Sequence, residues 1–273
     1  MIETIHLIPQ LDNKLIELLR SLDDDDWKRP TLAKLWSVKD IAAHLLDGNM
    51  RTLSLSRDKH LLIPDQPINS YESLVSYLNR LNADWVKACV RLSPKVLTDL
   101  LELTGQQYSA HLAELDPHGD AIFSVAWAGE DVSKNWFHIA REYTEKFHHQ
   151  QQIREACGKG GIMTREFFYP FISTLLQALP HTYRNTEAEE GSGLNIIIDT
   201  EIGGSWQLVR LTDKWILKEG SGADSYTSLI IPPSIAWKLF TKGLSPYEAE
   251  VGSTIRGNKE FARVALSMIA IMG

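Results

Sequence analysis

Glu145 and His149 are the residues of this chain whose types and spacing could do chemistry together. At positions i and i+4 of a helix, two side chains leave one face about 5–6 Å apart at Cβ. That is close enough for a carboxylate oxygen and an imidazole nitrogen to meet on one divalent cation. The pair belongs to a polar stripe, His138, Glu142, Glu145 and His149, and Trp136, Ala140, Tyr143 and Phe147 form an apolar stripe opposite, flanked by Ile139. Two opposed stripes are the ordinary mark of an amphipathic surface helix, and on this helix alone the polar stripe reads as a solvated face. A third residue far upstream shifts the balance. It is His44, in W-S-V-K-D-I-A-A-H-L-L-D, which taken alone reads as a hydrogen-bonded boundary histidine.

The elements that must position these residues follow from the hydrophobic pattern. Residues 135–157 read as one long helix, with Asp131 or Ser133 as N-cap and Gly158 as its stop. Residues 3–21 make a first helix, and the four aspartates at 23–26, which lack calcium-loop spacing, read as a solvated loop. Ser37 and Asp40 form a capping box that opens a helix to about Ser56. Its core residues are Val38, Ala42, Leu45 and Leu46, and its polar edge is Asp40, His44, Asp47 and Arg51. Helices over 70–91, from Ser93-Pro94 to about Leu115, and over 164–179 continue the pattern. His111 and His118 read as surface residues. After Pro180 the period changes. Strands are predicted over 195–200, 206–211, 215–219 and 225–231, then helices from Pro232-Pro233 to Phe240 and over 257–268. The fold class is α+β in two domains, a helical one over 1–160 and a smaller one over 161–273.

Composition sets the outer bounds. The chain has 273 residues, 44% hydrophobic and 23% charged, as in an ordinary globular protein with ample core. A net charge of −7 without a basic cluster argues against nucleic acid or an anionic membrane surface as partner. Cys89 and Cys157 have no metal or redox spacing. The N-terminal residues lack a signal-peptide pattern and no apolar run is long enough to span a bilayer, so a cytoplasmic location is expected.

The tryptophan-led, capped helix carrying His44, and Glu145-Lys146-Phe147-His148-His149, resemble the DinB-like metal-dependent superfamily. Within it the likeness is to the N-terminal domain of the mycothiol-dependent maleylpyruvate isomerases, over roughly residues 5–160. The strand-rich tail ending V-A-L-S-M-I-A-I-M-G resembles their sterol-carrier-like C-terminal domain. The resemblance implies an antiparallel four-helix bundle followed by a small sterol-carrier-like domain. It makes His44, Glu145 and His149 the ligands of a divalent metal, zinc in first place and nickel or another ion in second. Many relatives use a third histidine where this chain has Glu145. The isomerases usually carry an acidic residue where Gln152 stands, a departure that bears on the substrate. His148 lies about 100° around the helix from His149 and reads as packing or hydrogen-bonding.

Such a three-ligand site leaves coordination positions open, the catalytic arrangement. The chemistry implied is addition of a low-molecular-weight thiol to a conjugated double bond, rotation, and elimination of the trans isomer. Related members transfer the thiol to an electrophile. The partners are then a small thiol and an electrophilic substrate, and a homodimer stays open. The second domain is the natural cover for a site placed between domains, where Arg256 or Arg210 could hold a substrate carboxylate, although each also reads as a surface residue. A metal-binding stress protein without turnover and a small-molecule carrier are the competing classes.

Overall fold

The computed structural model describes residues 1–222 and 226–271. The chain divides into two compact units, one of residues 3–122 with 145–162, the other chiefly of residues 123–144 with 163–271.

The first unit is helical. It contains α1 (Ile8–Arg20), α2 (Val38–Thr52), α3 (Tyr71–Cys89), α4 (Pro94–Ala113) and the C-terminal part of α5 (Asn135–Ala156). Helix α2 packs on α3 and α4, and α1 packs on α4. Leu15, Leu19, Ile41, Ala42, Leu46, Leu97, Leu101 and Ile153 form its core. Each large aliphatic side chain buried there contributes on the order of 1.5–3 kcal/mol. The capping box at the start of α2 forms as expected: Ser37 Oγ accepts from the Asp40 N–H, and Asp40 Oδ2 accepts from the Ser37 N–H at 2.9 Å. The helix expected to reach Ser56 ends its α-helical part at Thr52 and runs on as a π-helical turn, Leu53–Arg57.

Two surface readings are corrected. His111 is buried, and its Nε2 lies 2.8 Å from the Oγ of Ser56, itself buried. The reason is that α4 packs against the turn that follows α2. Asp26 is also buried, holding Arg29 Nε at 2.8 Å, while Asp23 Oδ1 accepts the N–H groups of Asp25 and Asp26. The aspartate run is therefore a hydrogen-bonded turn and not a wholly solvated loop.

Helix α5 departs most from its sequence pattern. Phe137, Ile139, Ala140, Tyr143, Phe147 and Ile153 are buried, but so are His138, Lys146, His148, His149, Gln152 and Arg154. Periodicity separates apolar from polar side chains; it does not separate buried polar groups from wet ones. The opposed-stripe reading of a solvated face is thereby overturned, with only Glu142 and Glu145 of that stripe partly exposed. The helix stops as predicted. Gly158 takes φ +64°, the Lys159 N–H bonds the Arg154 carbonyl at 2.8 Å, and the Gly158 N–H bonds Glu155 at 3.2 Å. That pair of bonds is a Schellman motif. Of the two expected N-caps, Ser133 has its hydroxyl engaged elsewhere: the oxygen accepts from the Val125 N–H at 2.8 Å and the O–H donates to Glu130.

The second unit carries α6 (Arg165–Leu175), α7 (Leu179–Thr182), β1 (Gly193–Ile198), β2 (Gly204–Arg210), β3 (Trp215–Glu219), β4 (Thr227–Ile231), α8 (Pro233–Phe240), α9 (Pro246–Val251), β5 (Thr254–Arg256) and α10 (Lys259–Leu266). The sheet order is β3-β2-β1-β4-β5, with β1 parallel to β4 and the other pairs antiparallel. Leu194, Ile196 and Ile198, alternate residues of β1, are buried along with Leu229 and Ile231 of β4. Helix α10 packs on β4, α7 on β3 and α6 on α8. The predicted start of the fourth strand at Ser225 and the last two residues of the chain lie outside the described residues. Strand β5 was not foreseen, because its three mostly exposed residues carry no alternation signal, and neither were the short helices α7 and α9. The α+β class holds: among the described residues every named strand follows residue 192.

Candidate metal centre

The capping box fixes where α2 begins, and so places His44 two turns into the helix. Trp36 precedes the cap. Its carbonyl accepts the N–H and hydroxyl of Thr31, at 3.2 and 2.8 Å, which pins the entering loop. Its indole then packs on His44, 4.8 Å between ring centroids, and lies 6.4 Å from the ring of His149. The rings of His44 and His149 are 4.8 Å apart and nearly perpendicular. His149 Nε2 stands 3.6 Å from Glu145 Oε2. His44 on α2 and Glu145 and His149 on α5 are thus brought to one place in the helical unit.

The structure also brings His148 there. Its ring is 3.9 Å from that of His149, and ligand-capable atoms of Glu145, His148 and His149 all lie within 4.8 Å of one another. Helical spacing did not reveal this, because contact between neighbouring imidazoles, here tilted by 38°, depends on rotamers. The role of Gln152 was also missed. Its Oε1 lies 2.9 Å from His149 Nδ1, so an Nδ1–H donor leaves Nε2 with the lone pair that faces Glu145. The i,i+3 spacing of His149 and Gln152 was the available signal.

Burial pushes the imidazole of His44 well below its ordinary pKa, and the neighbouring His149 adds to this against the pull of Glu145. A neutral imidazole is the ligand form. Its Nδ1 is buried with no hydrogen-bond partner among the described residues. Two imidazoles, one of them with this unpartnered nitrogen, and a carboxylate form a donor set of the kind that fits a divalent cation.

The remaining candidates lie in the other unit. Arg256 ends β5 on the edge of the sheet and is exposed. Arg210 lies over Trp215, 5.8 Å from its centroid. His138 is buried beside Arg141, whose Nη2 lies 2.9 Å from its Nδ1, and burial lowers its pKa from 6.5 to about 4. Both cysteines are free, and burial raises both thiols above their ordinary value.

A helical unit with clustered imidazoles and carboxylate is of the DinB-like kind, and one chain here joins it to a mixed five-stranded sheet in an α+β architecture. Residues 8–154 match the family described as the mycothiol maleylpyruvate isomerase N-terminal domain, and the chain belongs to that family. Two solved structures share its fold, a mycothiol-dependent maleylpyruvate isomerase and a histidine-to-alanine variant of one. The first is 12% identical and the variant 11%, each with a TM-score of 0.54 over 92% of this chain and 90% of the other. No curated protein sequence matches the chain significantly.

Proposed function

We propose that this protein is a divalent-metal-dependent enzyme that uses a low-molecular-weight thiol to isomerise a cis double bond conjugated to a carbonyl, or to transfer that thiol to an electrophile. The observation that carries the reading is the meeting of His44 with Glu145 and His149 in a chain of this family. His44, Glu145 and His149 would hold the metal, zinc first among the candidates. A bound divalent ion would supply the charge that lowers a thiol's pKa and polarises a carbonyl.

The protein's own groups prepare this. Gln152 orients His149, burial keeps His44 neutral, and Trp36 packs against both rings. The thiol gives up its proton to solvent, and its sulfur forms a C–S bond as the π pair moves toward the conjugated carbonyl oxygen and the double bond becomes single. Rotation follows, and breaking the C–S bond restores the double bond in the trans form with release of the thiol. In the transfer variant the C–S bond is retained, and either the carbon that gained the electron pair takes up a proton or the electrophile's leaving group departs with its bonding pair. No protein thiol serves as nucleophile, in keeping with the raised pKa of Cys89 and Cys157. The exposed guanidinium of Arg256 is proposed as a carboxylate-binding group, the unit of residues 3–122 with 145–162 as a metal-binding domain, and the sheet-bearing unit as a sterol-carrier-like domain.

The test compares metal content and thiol-dependent isomerase activity in the wild type, His44→Ala and His148→Ala. The expected result is loss of metal and turnover in His44→Ala alone. Metal loss in His148→Ala alone would replace His44 by His148. Metal binding without any thiol-dependent turnover would favour the stress-protein reading, and an apolar ligand retained without metal would favour a carrier.

A further inference from the structure

Beside the candidate ligands lies a buried polar group centred on Lys146. Its Nζ lies 2.8 and 3.1 Å from the two carboxylate oxygens of Asp12 on α1, and donates to Asn49 Oδ1 on α2 at 2.8 Å. The ammonium also stands 4.4 Å from the ring centroid of Tyr108 on α4. The amide nitrogen of Asn49 donates to Thr104 Oγ1, again on α4, at 3.1 Å. A Cβ at Gly105 would come within 3.0 Å of Asp12 Oδ2, so the missing side chain makes room for the carboxylate. Lys146 and Asn49 are buried. Four helices of this unit therefore meet on one ammonium.

A buried ion pair is a poor source of stability, since apolar side chains of similar volume generally do as well or better. What a buried polar contact can supply is register, because its partners meet in only one setting of the helices. Helices α2 and α5 meet at His44 with His149 and at Asn49 with Lys146. The order along α5 reverses that along α2, so the helices run antiparallel and the Asn49–Lys146 bond lies beside the ligand pair. A slip of one residue moves a helix by about 1.5 Å, whereas metal–ligand bonds tolerate about 0.2 Å. We propose that Lys146 and Asn49 are positioning residues that lock α2 and α5 in the register where His44 and His149 can share a metal ion. The proposal rests on the metal reading of His44, Glu145 and His149.

The test uses Co²⁺ as probe on the full chain, with affinity measured by chelator competition well below the melting transition and the visible absorption of the bound ion recorded. Asn49→Leu cuts the link from α2 and leaves the Lys146–Asp12 pair intact. It is expected to keep the helical circular dichroism, to bind Co²⁺ about 10-fold or more weakly, and to change the absorption spectrum. The double variant Asp12→Leu/Lys146→Met removes both charges together, and the same losses are expected from it should Asn49→Leu not fold. A folded variant with wild-type affinity and spectrum overturns the proposal, as does failure of both variants to fold, which would make the network a plain stability element. His44→Ala separates the two levels. If it binds Co²⁺ like the wild type, the metal reading itself has failed; if it alone loses the ion, only the register proposal has.

Discussion

At the scale of single residues, His138 and Gln152 give the sharpest expectations. His138 is buried, with a folded-state pKa of about 4 against 6.5 for the free imidazole. Between those values the unfolded chain takes up a proton that the folded chain refuses. This contribution to stability is therefore complete above pH 6.5 and is lost as pH falls toward 4. Across the whole window it amounts to about 3 kcal/mol. Urea unfolding between about pH 7.5 and pH 4.5 should show a smaller acid loss in His138→Phe than in the wild type. Equal losses would mean that another group carries the acid sensitivity. Gln152→Leu removes the acceptor from His149 Nδ1, and should weaken metal binding by about 10–100-fold with little change in melting temperature. Unchanged affinity would show that the ring is oriented by packing alone. At this scale the sequence disclosed residue types and helical spacing, which drew attention to His44, Glu145 and His149. It did not disclose the ring contact of His148 with His149, which depends on rotamers, or the network on Lys146, which depends on which helices come together around α5.

At the scale of elements, helix ends were legible because capping is local chemistry. Ser37 with Asp40 and the glycine at 158 are local signals that need no tertiary structure. Ser37→Ala removes the acceptor for the first turn of α2 and should cost about 1 kcal/mol in chemical denaturation. Gly158→Ala forces a side chain into a left-handed backbone and should cost about 1–2 kcal/mol, although its Cβ would meet no neighbour. A neutral result at either position would show that packing sets that helix end and the cap only accompanies it. What was not legible was the surroundings of α5. A helix with lysine, arginine, histidines and glutamines among its buried residues looks from its pattern like a surface helix, and only partners such as Asp12, Asn49 and Gln152 reveal otherwise.

At the scale of the whole molecule, the switch from helical to strand period near residue 193 was visible in the sequence, because it is a change of period and not of composition. The way α5 is divided was not. Its residues up to Thr144 group with the sheet-bearing unit, and those from Glu145 group with the helical one. A chain cut after residue 162 would therefore lose residues 163–271, with which segment 123–144 is grouped. Tyr143 would lose the Phe167 carbonyl that accepts its hydroxyl at 2.7 Å. Val125, Trp127, Phe137 and Ile139, all buried in the full chain, belong to the same segment. Exposing a handful of such side chains, at about 1.5–3 kcal/mol each, is comparable with the whole stability of a domain, about 5–15 kcal/mol. Fragment 1–162 is accordingly expected to bind a hydrophobic dye, to self-associate on size exclusion and to melt without a sharp transition. A monomeric fragment with a cooperative melt near that of the full chain would instead show that the helical part folds by itself, and would support a domain limit at residue 160.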